Sequence, residues 1–346
     1  MAYLDNSATT KPDKAVADKI YEMLTVNFGN PSSFHKEGLN ANLELRAARE
    51  KIANALSCES EETTAIEHES VLQSVDELEK QGFEVIRLMP DKQGRITEQQ
   101  VFDAVNSDTI LVSMMYVNNE VGSIMPVKSI KKAVKRANAP ALIHIDCVQA
   151  FGKLEVKPSK LGADLVTVTA HKIHGPKGVG ALYLKKGTRI LPRVFGGEQE
   201  KKLRPGTEAI PLIAGFGVAA DLIPDLKKQS EKIKEINTYA KEGLLSVPGV
   251  KINSGDDASD YIINLFVPTF MTSQTVVQHL SSKYGVYVSN GSACAKGKRS
   301  HVLTAMKLDD KIIEKSIRVS FSRTTTKGDI DEFVNAIKET VVQYPM

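Results

Sequence analysis

Residues 167–184 read TVTAHKIHGPKGVGALYL, a strand-like run that enters a turn punctuated by glycine and proline and leaves it as a second strand-like run. Lys172 sits where the first run meets the turn. Upstream, residues 142–150, LIHIDCVQA, close another apolar strand on Asp146. A parallel sheet would carry Lys172 and Asp146 to one rim, the place where open α/β sheets bind ligands. Gly178 and Gly180 relieve backbone crowding between two buried strands. The run GPKGVG has neither the spacing of a dinucleotide fingerprint nor that of a P-loop, and it precedes a strand where those motifs precede a helix.

Working outward, helical and strand patterns alternate, which points to an α/β fold with a mostly parallel central sheet and helices on both faces. Helical periodicity covers Leu39 to Leu56 and Ser70 to Lys80, and the strand FEVIRLM (Phe83 to Met89) follows after Gly82. Helix Glu98 to Val105 then leads to strand TILVSMMYV, helix Val127 to Ala137 to ALIHID, and DLVTVTA through the lysine turn to GALYLK. After a polar loop from Gly196 to Glu208, helices Ala209 to Leu222 and Leu226 to Leu245 bridge to a smaller α+β unit. That unit comprises strand YIINLFV, helix Thr272 to Tyr284, a cysteine-containing loop, strand SIRVSFS and a last helix from Asp329 to Val342. We therefore expect a large domain over 14–222 and a small domain over 1–13 and 223–346.

The chain has 346 residues, enough for two domains and a sizeable core. Its net charge of +3 is small and dispersed, which argues against nucleic acid as a partner. No apolar stretch is long enough to cross a bilayer and no signal segment is visible, so a cytosolic location is expected. The three cysteines, Cys58, Cys147 and Cys294, are an odd number without metal-ligand spacing. Neither a zinc site nor a disulfide framework is expected, and a reactive thiol is open.

Chemistry-bearing residues gather around the imagined rim. A lysine that forms a Schiff base and an aspartate that keeps a pyridine nitrogen protonated are the minimum equipment of a pyridoxal phosphate site, although most lysines beside strand ends are solvated charges. Asn118 and Asn119 end the strand TILVSMMYV, Gln149 follows Asp146, and His68 ends TTAIEH before a helix. The amides suit a phenolate oxygen and the histidine suits ring stacking or proton transfer; turn chemistry and helix capping are the plain alternatives. Cys294 lies in SNGSACAKGKRSHVL, where Lys296, Lys298 and Arg299 would favour its thiolate, or would simply be solvated. Arg318 and Arg323 in SIRVSFSRTTT suit bidentate binding of a carboxylate, or are surface charges on an edge strand.

Together these segments resemble the cysteine desulfurase family, the branch of class-V aminotransferases with the fold type I pyridoxal phosphate architecture. YLDNSATT, FGNPSSFH, AIEH, VNNEVGSIMP, HIDCVQAFGK, AHKIHGPKGVGALY, PGTE, NGSACA and IRVSFSRTTT match the family's motifs in order over almost the whole chain. The resemblance implies that Lys172 holds the cofactor aldehyde, Asp146 pairs with the pyridine nitrogen, Gln149 contacts the ring oxygen and His68 stacks on the ring. Asn118 and Arg318 would meet the substrate carboxylate, with Asn118 also near the cofactor. Thr169 and His171 would lie near the cofactor phosphate, and Thr207 would reach the phosphate of the neighbouring subunit in a homodimer. Cys294 would carry sulfur from L-cysteine as a persulfide, leaving L-alanine, for an acceptor such as an iron–sulfur scaffold or a tRNA-thiolating enzyme.

One expected part is missing. Members of the family carry a strand, a Gly-Ala-Thr-Glu-like turn and a phosphate-binding helix before the segment matched by TTAIEH; here the link is only SCESEE, a shortfall of roughly 30 residues, about one strand-helix-strand unit. The gap falls between Glu62 and Thr63. Either the sequence as given omits a segment that the protein has, which is the favoured explanation because losing the segment would expose sheet edge and core, or the deletion is real. A real deletion predicts weak cofactor binding and little activity, because a phosphate dianion wants the free N–H groups of a helix N-terminus. A desulfurase-like dimeric scaffold without the phosphate cup, and a related selenocysteine or cysteine lyase, are the alternative readings.

Overall fold

Four of the five strands in the main sheet point the same way. In the computed structural model, described for residues 1–58, 63–64, 71–290 and 299–346, ten strands are β1 (Ala2–Tyr3), β2 (Thr63–Thr64), β3 (Leu111–Met115), β4 (Leu142–Asp146), β5 (Leu165–Thr169), β6 (Gly180–Leu184), β7 (Lys251–Ile252), β8 (Ile262–Phe266), β9 (Val286–Tyr287) and β10 (Ser316–Ser320). The main sheet has the order β2-β6-β5-β4-β3. Strands β3, β4 and β5 are parallel neighbours, while β6 runs antiparallel to both β5 and β2. Ile143, Ile145, Val166, Val168, Ala181 and Tyr183 alternate along β4, β5 and β6 onto one face and join a continuous core with Phe151, Ile173 and Phe216. Helix Ile210–Asp221, apolar nearly all round, is buried against helices Lys14–Thr25 and Lys36–Leu56.

The opposite face of the same strands is less covered. It carries Leu111 and Ser113 of β3, both exposed, and His144 and Asp146 of β4, both half-buried. Ser113 Oγ bonds His144 Nδ1 at 2.8 Å and His144 Nε2 bonds Thr167 Oγ1 at 2.9 Å, a polar ladder across three strands. Parallel sheets are usually covered on both faces, so this open side is an unusual feature of the described residues.

A second sheet, β10-β8-β7, is antiparallel, and β1 pairs with β9 in parallel. The N-terminal segment therefore adds itself to the C-terminal part of the chain, with a further bridge from Asp5 to Ser320. Helix Leu226–Leu245 packs on helix Lys327–Gln343.

Most expected elements appear within a residue or two, but FEVIRLM is a correction: residues 83–89 form no strand. β-Propensity expresses a fit to a paired, half-buried pleat, and β3 is the terminal strand of its sheet with no neighbour on that side among the described residues. Phe83, Ile86 and Met89 stay exposed, and Arg87 bonds back to Asp76 and Glu79 of helix Val71–Lys80, both at 2.8 Å.

Candidate active site

Lys172 ends a single 3₁₀ turn, Ala170–Lys172, at the C-terminal end of β5. Asp146 is the last residue of β4, in register with Thr167 of β5, so the parallel pairing does bring both to one rim. The N-terminal segment closes over that rim. Thr10 donates its N–H and its hydroxyl to His171 O, both at 2.9 Å, and receives the His174 N–H at 2.7 Å. This docking places the Ser7 and Ala8 carbonyls over Lys172, whose Nζ donates to both, at 2.6 Å for Ala8. Gln149 Nε2 donates to the same Ser7 carbonyl at 3.0 Å, so the lysine and the glutamine converge on one oxygen. Gly152 lets the segment after Gln149 approach the lysine turn: its φ is +71°, and a Cβ there would lie 2.7 Å from Ile173 Cγ2.

Asp146 accepts the Val148 N–H on Oδ1 at 2.8 Å, and no described residue bonds Oδ2. That oxygen is available to a protonated ring nitrogen. Two buried polar atoms, Ser7 Oγ and Arg318 Nε, have no partner among the described residues. Lys172, Asp146 and Gln149 thus fit the aldehyde and ring of pyridoxal phosphate. The phosphate end is thinner. Thr169 Oγ1 spends its proton on Val179 O at 3.2 Å, and His171 Nδ1 lies 3.4 Å from Thr9 Oγ1. Thr207 is exposed on its loop.

Asn118 adopts the plain turn role that its position allows: its Oδ1 accepts the N–H groups of Glu120 and Val121 at 2.8 and 3.0 Å. Its amide nitrogen reaches only Met115 Sδ at 3.4 Å. Arg318 departs from the surface-charge alternative, being only 1% exposed. β10 lies between β8 and residue Ser289, and the guanidinium bonds Asp5 Oδ1 at 2.7 Å and Asn119 O at 3.0 Å. Arg323 pairs with Asp13 and donates to Leu222 O. His68 and Cys294 lie outside the described residues. Of the other cysteines, Cys147 is buried beside Asp146, and desolvation followed by that negative charge pushes its thiol well up, so it is a poor nucleophile.

The family profile described as "Aminotransferase class-V" matches residues 2–64 and 62–333. The cysteine desulfurase IscS of Methanosarcina thermophila is 35% identical over 373 aligned positions, covering 98% of this chain and 91% of the relative. The chain belongs to the cysteine desulfurase family. A solved structure described as a NifS-like protein superposes with a TM-score of 0.91 at 32% identity, covering 99% of this chain and 100% of that one. Another, described as SspA in complex with cysteine, gives a TM-score of 0.80 at 29% identity over 94% of this chain and 100% of that one. Class-V aminotransferases are in general pyridoxal phosphate enzymes, and the fold is the type I architecture of that class. The alignment with the Methanosarcina desulfurase has more positions than this chain has residues, so the relative carries residues without a counterpart here.

Three contributors to the site carried no role in the sequence reading. The carbonyls of Ser7 and Ala8, Asp5 as the partner of Arg318, and Lys153, which donates to Gln149 Oε1 at 3.1 Å, became visible only in the fold. The first two lie in the motif YLDNSATT, whose match to the family was the available signal.

Proposed function

We propose that the protein is a cysteine desulfurase that converts L-cysteine to L-alanine and holds the abstracted sulfur as a persulfide on Cys294. The observation that carries this reading is the convergence of Lys172, Asp146 and Gln149 at one sheet rim in a chain of this family. Bound there, pyridoxal phosphate would supply an electron-withdrawing ring that stabilises negative charge at the substrate Cα. Asp146 would hold the ring nitrogen protonated, Gln149 would donate to the ring oxygen, and Thr169 and His171 would lie toward the phosphate. Lys172, once its amine is released, would take the Cα proton, and His68 would handle the proton of the substrate thiol. Asn118 and Arg318 are assigned to the substrate carboxylate; the arginine would exchange part of its present bonding to Asp5 and Asn119 for it. The Cys294 thiolate attacks the substrate sulfur: an S–S bond forms, the Cβ–S bond breaks, and its electron pair stays with the carbon skeleton that takes up a proton and leaves as alanine.

We further propose a cytoplasmic homodimer that hands sulfur to an acceptor protein such as an iron–sulfur scaffold or a tRNA-thiolating enzyme. Phe34, Leu191 and Phe195 are exposed on the segments before helix Lys36–Leu56 and before Thr207, which supports a partner subunit there. Among the described residues no helix is long and apolar enough to cross a membrane.

The open sheet face and the surplus of aligned positions favour a second reading, in which the chain lacks a strand-helix segment between Glu62 and Thr63 and acts as an impaired, dimeric scaffold. Incubating the purified chain with pyridoxal phosphate and L-cysteine separates the two. Stoichiometric cofactor uptake with equal amounts of alanine and persulfide supports the enzyme. Failure to retain cofactor overturns it in favour of the scaffold.

A further inference from the structure

Lys153 stands beside the rim and has no part in the reaction proposed above. It lies four residues after Gln149 in a helical turn in which Phe151 N–H bonds Cys147 O and Lys153 N–H bonds Ala150 O, so both side chains share a face. The side chain is 6% exposed and lines a cavity of about 20 Å³, room for one water, with Lys172, His174, Tyr261 and Arg323. Its Nζ stands 5.5 Å above the Tyr261 ring and donates to Gln149 Oε1 at 3.1 Å. No carboxylate among the described residues is within ion-pair distance of it. Burial, with Lys172 and then Arg318 as cationic neighbours, pulls it down to about 7. A buried lysine with only a neutral acceptor is a poor stabiliser, and such groups concentrate at functional sites.

The amide of Gln149 has two possible orientations, and the surroundings choose one. Its Oε1 faces the Lys153 amine and its Nε2 faces the Ser7 carbonyl. The reverse would set NH₂ against NH₃⁺ and oxygen against oxygen. We propose that Lys153 is a positioning residue that fixes the Gln149 amide with its N–H₂ toward the Ser7–Lys172 rim, where it donates to the cofactor's ring oxygen. The part concerning the cofactor rests on the function proposed above. Both the charged and the neutral amine carry N–H donors, so the orientation holds on either side of neutrality. The approach of Gly152 to Ile173 keeps the turn bearing Lys153 against the lysine turn.

The test uses Lys153→Met, which keeps the length of the side chain and removes its donor, alone and combined with Gln149→Ala. In the full-length protein, Lys153→Met should weaken pyridoxal phosphate binding about three- to tenfold, the effect of one hydrogen bond, and shift the visible absorption band of the bound cofactor. It should change neither property when Gln149 is already alanine. Equal losses in both backgrounds, or no change in either property, would overturn the proposal. A crystal structure of the cofactor-free variant gives an answer that does not depend on cofactor binding. Rotation of the Gln149 amide away from Ser7 O supports the proposal, whereas an amide left in place refutes it even if the parent chain takes up no cofactor.

Discussion

Replacing Asp5 with alanine should cost stability because it strands a buried charge. Arg318 is 1% exposed, its guanidinium bonds Asp5 Oδ1 through Nη2 at 2.7 Å and Asn119 O through Nη1 at 3.0 Å, and its Nε has no partner among the described residues. Without the carboxylate, the buried guanidinium would keep the Asn119 carbonyl as a hydrogen-bond partner and only the through-space attraction of Glu120 as charge compensation. Breaking a buried pair on one side typically costs about 3–5 kcal/mol. Asp5 itself is 22% exposed, so water can enter the vacated space and the lower end, about 3 kcal/mol, is expected. Arg318→Met removes the charge together with its desolvation penalty, and the double variant should therefore recover much of the loss seen in Asp5→Ala. The assay is urea unfolding of all four proteins without cofactor, followed by near-ultraviolet circular dichroism at neutral pH. Strictly additive effects, or a loss below about 1 kcal/mol for Asp5→Ala, would refute the picture of a buried, coupled pair and make the contact an ordinary surface one.

Cys147→Ser should leave persulfide formation intact, whereas Cys294→Ser should abolish it while retaining cofactor; alkylation with iodoacetamide followed by peptide mass measurement should find Cys147 protected in the native protein. Lys153 has a folded value of about 7 against an ordinary 10.5, so the unfolded chain binds more protons between these limits. Wild-type stability should accordingly rise with pH across that window. The stability advantage of Lys153→Met should be largest below pH 7, several kcal/mol on the order of 3–5, and fade as the pH approaches 10.5; a flat difference in pH-dependent unfolding would contradict the assignment. Phe34→Glu combined with Phe195→Glu should convert the proposed dimer to monomer without unfolding it, as measured by sedimentation velocity.

Much of the fold was legible because the elements carry local signals. Helix Lys36–Leu56 and helix Val127–Ala137 follow their periodicity, and β4, β5 and β6 are short apolar runs bounded by turn residues. Residues 83–89 show where such reasoning stops. FEVIRLM has strand composition, but a strand is completed by a neighbour, and composition does not supply one. Arg318 shows the same limit for a charge, since its burial depends on Asp5, more than 300 positions away in the chain.

By itself the sequence determined the chemical inventory of this protein: an amine at Lys172, a carboxylate at Asp146, an amide at Gln149, and motifs in the order of one family. It also set the expectation that a segment is missing between Glu62 and Thr63, because the length of the link SCESEE is read without coordinates. Tertiary structure decided which of these groups meet. Parallel pairing of β4 with β5 brings Asp146 and the lysine turn to one rim, and the docking of residues 7–10 sets the carbonyls that Lys172 and Gln149 share. The physical reason is that side-chain chemistry is local to a residue, whereas hydrogen-bond partners, desolvation and the choice between two amide orientations are set by atoms remote in sequence.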